Sequence, residues 1–261
     1  MTTSSSSFVR LTSSSSSTLT SSTLTTSTTT STPAVPVQTG AASQEYQVYS
    51  GDGTVAQGWP SEDQWVDFEY MFEINAPDMR ESCAAWGVPN NSDEETATIK
   101  DAIQSLSAQS GVDARLILAV IMQESTGCVR VITTAYSVLN PGLMQSHAGA
   151  GTCNTNNAPF GIPGVSNTGT VQDPCPASEI YQMVRDGTAG TDSGDGLQQL
   201  LVDDDRTDVS RFYRAARMYN GGRLSIGTDG NLETGCCTTC YVSDIANRLT
   251  GWTNAPRVCD L

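Results

Sequence analysis

Along most of this chain the apolar positions recur with the period of a helix. Ser61-Glu62-Asp63-Gln64 has the spacing of a capping box, and Trp65, Phe68, Met71, Phe72 and Ile74 follow on one helical face. That pattern predicts a packed helix opening on the box. Ser92 and Glu95 repeat the box before Ile99, Ile103 and Leu106, and Gly111 closes the segment as a C-terminal glycine should. Asp113 then caps a third helix, Ala114 to about Ser125. Its run Leu116-Ile117-Leu118-Ala119-Val120-Ile121 is apolar almost all round, which places it through the core rather than over the surface. Helical signals resume at Ala177 to Arg185, around Leu197 to Val202, from Asp208 to Asn220, and from Tyr241 to Leu249. Strand signals are scarce, so the fold class is mainly α.

Two stretches break the helical pattern. Residues 128 to 176 are rich in Gly, Asn, Thr and Pro and hold three cysteines, which reads as an irregular region stapled over one face by disulfides. From Thr2 to Thr32, 25 of 31 residues are Ser or Thr. Such a segment buries too little apolar surface to offset its ordering entropy, and Pro33 and Pro36 extend it. The expectation is a disordered stalk over residues 1–44, of the O-glycosylated kind or a plain linker, followed by one domain over residues 45–261.

Charge narrows the partners. The chain carries 28 acidic residues against 13 basic ones and one histidine, a formal net charge of -15. All 28 acids lie at or beyond Glu45 and Arg10 lies before it, leaving 28 acids against 12 bases, or -16, on the folding part. A nucleic-acid binder needs clustered cations that this composition lacks. No apolar run approaches the roughly 18 residues of a membrane helix.

Eight cysteines (Cys83, Cys128, Cys153, Cys175, Cys236, Cys237, Cys240 and Cys259) beside a single lysine point to an oxidising compartment and four disulfides. Their pairing is open. At least two bridges are expected to clamp the 128 to 176 region onto the domain. Cys237-x-x-Cys240 as half a zinc site is the weaker reading, because no second such pair exists. The start of the chain shows neither a basic segment nor an apolar export signal; since the cysteine count argues for export, the expectation is a secreted protein whose signal lies outside this sequence, with export by another route as the alternative. Asn90-Asn91-Ser92 has the form of an N-glycosylation acceptor.

Three short motifs carry candidate chemistry: Glu124-Ser125 at a helix end, Gly142-Leu143-Met144-Gln145 in the loop region, and Tyr219-Asn220-Gly221 at the end of a later helix. An acid at the end of a buried apolar helix is costly unless it is paired, neutral or working. In this order, and after Leu-Ile-Leu-Ala-Val-Ile-Met-Gln, the motifs resemble the lytic transglycosylase (SLT) domains and goose-type lysozymes of glycoside hydrolase family 23. The resemblance covers roughly Asp113 to Trp252. Pro174-Cys175-Pro176 and Asp186-Gly187-Thr188 look like the secreted fungal branch.

The resemblance implies a lysozyme-like domain that cleaves the β-1,4 bond of peptidoglycan between N-acetylmuramic acid and N-acetylglucosamine, as transglycosylase or muramidase. It implies general acid catalysis by Glu124, with Ser125, Gly142, Leu143, Met144, Gln145, His147, Tyr219 and Asn220 along the sugar groove. For Met144 a packed core side chain is the competing reading, and for His147 a solvent-facing loop position. No metal or cofactor is implied, and a monomer is expected. Asp203-Asp204-Asp205 lacks the EF-hand pattern and reads as solvated charge.

The chain departs from the goose-type pattern, which places an aspartate two residues after the Gly-Leu-Met-Gln motif, where this chain has His147. Residues 125 to 146 contain no acid. Asp173, Glu179 and Asp186 are the remaining candidates for a second carboxylate, and nothing in the spacing selects among them. Without a base for water, the sugar's own C6 hydroxyl becomes the favoured nucleophile. Because the domain is strongly acidic while bacterial walls are anionic, chitin or the cationic polymer chitosan is an alternative substrate. A non-catalytic secreted wall-binding or effector protein is the other alternative.

Overall fold

The computed structural model describes residues 42–135, 137–156, 169–253 and 256–259. The described residues belong to one compact unit, Val37–Leu261. Most of the Ser/Thr-rich stretch lies outside them. Its expected last residues do not: Ser43 N–H donates to Thr250 O at 3.0 Å, and Gln44 Nε2 donates to Gly251 O. The packed part therefore reaches a few residues into the segment assigned to the stalk.

Seven α-helices account for the architecture among the described residues: α1 Phe68–Glu81, α2 Asp93–Ser110, α3 Ala114–Ser125, α4 Ala177–Ala189, α5 Leu197–Val202, α6 Ser210–Gly221 and α7 Tyr241–Leu249. The strand content is one hairpin, β1 Thr134–Ala135 paired antiparallel with β2 Leu139–Asn140. The mainly α expectation holds.

Helix α3 runs through the centre as its composition demands. Leu116 to Ile121 are all fully buried, and α1, α2 and α7 pack around them. Asp113 Oδ1 accepts from Arg115 N–H to open the helix, and Thr126 in the left-handed region ends it. The box at Ser92 and Glu95 forms as expected, and Gly111 caps α2 at φ 75°. The box at Ser61 caps something else. Gln64 Oε1 accepts from Ser61 N–H, but the turn it closes is the short 3-10 segment Glu62–Gln64. Helix α1 starts afresh at Phe68, where the Asp67 carboxylate accepts from Tyr70 N–H. Trp65 leaves the helical path because it has a buried destination: its indole N–H donates to Tyr213 Oη at 3.1 Å, beside Phe212.

The cysteines of the described residues are all bonded: Cys83–Cys128, Cys153–Cys175, Cys236–Cys237 and Cys240–Cys259. This framework is consistent with an extracellular protein. Cys237 and Cys240 are thus spent on separate bridges, and no cluster of three or more potential metal ligands occurs among the described residues. The clamping of residues 128 to 176 differs from expectation. Only Cys83–Cys128 ties the region to the rest of the domain, while Cys153–Cys175 closes a loop within it.

A buried ion pair adds to the anchoring. Arg130, 1% exposed, donates to both carboxylate oxygens of Glu95 on α2 and reaches Asp173 at 2.8 Å. Burial pushes the Glu95 carboxyl up, but the Arg130 guanidinium and the N–H groups of Ser92 and Cys175 outweigh it and hold the group below the usual carboxylate range. No helix among the described residues is long and apolar enough to cross a membrane.

Candidate active site

Helix α3 ends at one wall of a cleft of about 760 Å³, and Glu124 faces into it. The helix is apolar, so the carboxyl is enclosed by protein while part of the residue's surface stays open to the cleft. Burial pushes its pKa up to about 7, against the opposing pull of a hydrogen bond from Tyr241. That phenol Oη donates to Glu124 Oε1 at 2.6 Å. Desolvation and the neighbouring carboxylate raise the Tyr241 pKa well above the ordinary value, so Tyr241 stays a neutral donor.

Of the nine residues singled out in sequence, five line this cleft: Glu124, Gln145, His147, Tyr219 and Asn220. The other four stand behind its wall. Ser125 is buried and donates from Oγ to Ile121 O and to Leu143 O at 2.8 Å, which ties the end of α3 to the Gly142-Gln145 turn. Leu143 and Met144 are fully buried core side chains, so Met144 follows the packed reading rather than the groove reading. Gly142 has φ 78°, and a Cβ there would lie 2.7 Å from Gly151 O and 2.6 Å from the Met183 side chain. Leu143 and Met144 lie behind the wall because a turn packed closely against α3 and α4 has no room to turn its apolar side chains outward.

Gln145 itself adopts φ 46°, a left-handed conformation uncommon for a non-glycine residue. Its amide holds the turn there: Nε2 donates to Gly142 O and Ile132 O, and Oε1 accepts from Thr134 N–H. Much of its hydrogen-bonding capacity is thus directed into the loop. Asn220 is similarly engaged, accepting from Thr238 N–H and Arg217 Nη2, each at 3.0 Å, and donating to Thr238 Oγ1. No hydrogen bond joins either amide to Glu124. Tyr219 Oη donates to Met144 O at 2.8 Å, and Ser146 Oγ lies 3.4 Å away. Burial and the Glu124 carboxylate push the Tyr219 pKa far upward. His147 is exposed at the cleft, and its carbonyl accepts from Thr191 Oγ1.

The acids considered for a second role are structural. Asp186 is buried and accepts from Ala150 N–H, Gly151 N–H and Gln182 Nε2; Glu179 accepts from Thr152 N–H; Asp173 pairs with Arg130. None of the three lines the cleft. Asp195 does, from the loop between α4 and α5, and its Oδ2 takes a 2.6 Å hydrogen bond from Arg223 Nε. That bond holds the Asp195 carboxyl below the usual range. Asp203 closes on the same guanidinium at 2.7 Å, and Asp204 pairs with Arg214, so two members of the acidic run are ion-paired.

The sequence reading missed Tyr241, Asp195 and Trp86, all of them relevant to the cleft. Tyr241 directly follows Cys240 at the start of a predicted helix, and no spacing links it to a residue 117 positions earlier. Asp195 sits in a Gly- and Asp-rich loop that looks like plain solvated turn.

An arrangement of this kind can hold a proton on Glu124 near neutral pH and deliver it to an oxygen bound in the cleft. Comparison of the chain with known protein families, with characterised protein sequences and with solved structures finds no match.

Proposed function

We propose that this protein is a secreted lysozyme-like glycosidase that cleaves the β-1,4 bond of peptidoglycan with Glu124 as its single general acid. The observation that carries the reading is the enclosure of the Glu124 carboxyl at the end of an apolar helix, on the wall of a cleft of about 760 Å³, where burial pushes its pKa up to about 7. A glycosidic oxygen is a poor leaving group until it is protonated, and a carboxyl kept neutral by its surroundings provides that proton. The three-motif resemblance adds the substrate class.

In this mechanism Glu124 gives its proton to the leaving O4 as the bond from C1 to that oxygen breaks. Tyr241 keeps the carboxyl in place and stabilises the carboxylate that results. The C6 hydroxyl of the same sugar then attacks C1 and returns its proton to Glu124, closing a 1,6-anhydro ring. This route is favoured over water because the one other carboxylate on the cleft wall among the described residues, Asp195, is a weak base: its pKa is depressed and Arg223 occupies one oxygen.

A second reading, hydrolysis of chitin or chitosan on the same site, draws on the acidic balance of the domain, 28 acids against 12 bases beyond residue 44. Incubation with purified peptidoglycan, chitin and chitosan, followed by mass analysis of released sugars, tests both. Anhydro-muramic ends from peptidoglycan support the first reading. Release from chitosan alone favours the second, and no release from any polymer returns the protein to a non-catalytic wall binder.

A further inference from the structure

Beyond α1 the chain makes a short 3-10 turn, Ser82–Trp86, that ends on Gly87 in the left-handed region at φ 69°. The turn is fixed from behind. Cys83 is fully buried and bonded to Cys128, and Ala84 N–H donates to Asn90 Oδ1 at 2.9 Å. Cys83, Cys128 and Val131 form a small apolar cluster of their own, with Val88 packed against it. Trp86 stands at the end of this rigid unit. It is 45% exposed and lines the same cleft as Glu124, whereas Trp59, Trp65 and Trp252 are all buried.

An indole held in water on an inflexible support forgoes the burial that the other tryptophans gain, and it stands ready to cover an apolar surface at little cost in side-chain entropy. A pyranose offers such a surface, a face of C–H groups ringed by hydroxyls. The cleft wall supplies polar partners for that ring of hydroxyls, among them Thr134, Asn140 and Thr238. We infer that Trp86 is a sugar-stacking platform, a subsite that holds one pyranose of an extended β-1,4 glycan apart from the bond that Glu124 protonates. The inference rests on the glycan-cleaving reading above. The Cys83–Cys128 bridge joins the segment that bears the platform to the one four residues beyond Glu124, a covalent link between the two walls. Stacking needs no cation, which gives a strongly acidic domain a hold on an anionic polymer that its net charge would otherwise repel.

Kinetics of Trp86→Ala and Trp86→Phe on solubilised, peptide-free glycan strands, with melting temperatures measured alongside, test this. The expected result is a KM raised roughly tenfold in Trp86→Ala with kcat within about twofold of wild type, and recovery of most of the KM in Trp86→Phe. An unchanged KM in Trp86→Ala overturns the platform while leaving the activity standing. So does a fall in kcat and melting temperature shared by both variants, which is the signature of a structural role. Wild-type protein that releases nothing from peptidoglycan, chitin or chitosan overturns the glycan-cleaving reading and the platform with it.

Discussion

Tyr241 Oη donates a 2.6 Å hydrogen bond to Glu124 Oε1, joining the first residue of α7 to the last turn of the central helix. The contact sets the acid's orientation and opposes the upward push of burial on its pKa. Tyr241→Phe removes the opposing effect and keeps the ring. If Glu124 is the acid, the alkaline limb of the wild-type pH–rate profile is expected near pH 7, and it should move upward in the variant, with a drop in kcat of about tenfold or less. An alkaline limb that stays in place would separate Tyr241 from the acid.

The same raised pKa makes stability depend on pH. Because the folded-state value of about 7 exceeds the ordinary 4.5, the folded protein binds the extra proton, and stability from this group falls as pH rises through that interval. The difference corresponds to roughly 3 kcal/mol. Glu124→Gln, which cannot ionise, should therefore unfold at higher denaturant than wild type at pH 8 and at nearly the same denaturant at pH 4. Equal stabilities at both pH values would mean that Glu124 is not enclosed.

Asp195 separates the two product outcomes. If the C6 hydroxyl is the nucleophile, Asp195→Asn leaves the anhydro product and most of the rate intact. A loss of about a hundredfold or more, with reducing ends as the wild-type product, would assign Asp195 the water-activating role instead.

Arg130 and Glu95 form a buried pair between the loop region and α2. Removing one partner strands the other charge, so Arg130→Ala should cost about 3–5 kcal/mol in equilibrium unfolding. A cost below about 1 kcal/mol would show that the pair is solvated. Glu95 contributes stability above its ordinary pKa, and this is lost as pH falls through its depressed folded-state value.

What the sequence discloses follows from the range of the forces involved. Helix α3, its Asp113 cap and the position of Glu124 at its end are local facts, written in an apolar run and its flanking residues. The box at Ser61 is equally local, yet it misleads: the burial of Trp65 against Tyr213 and Phe212 is tertiary, and it breaks the helix that the spacing predicts. The Gly142-Leu143-Met144-Gln145 motif marks the right place but not the right surface, since which side of a turn faces the cleft depends on α3 and α4 packing behind it. Asp195 and Trp86 reach the cleft, and Tyr241 reaches Glu124, from distant segments through contacts that no periodicity encodes.

The claim that Glu124 is the general acid of glycan cleavage is tested most directly by incubating wild type and a folded Glu124→Gln variant with purified peptidoglycan and measuring soluble fragments by mass. The account predicts release of 1,6-anhydro-muramic fragments by wild type and a loss of nearly all release in the variant. A folded Glu124→Gln protein that retains most of the wild-type release would contradict it.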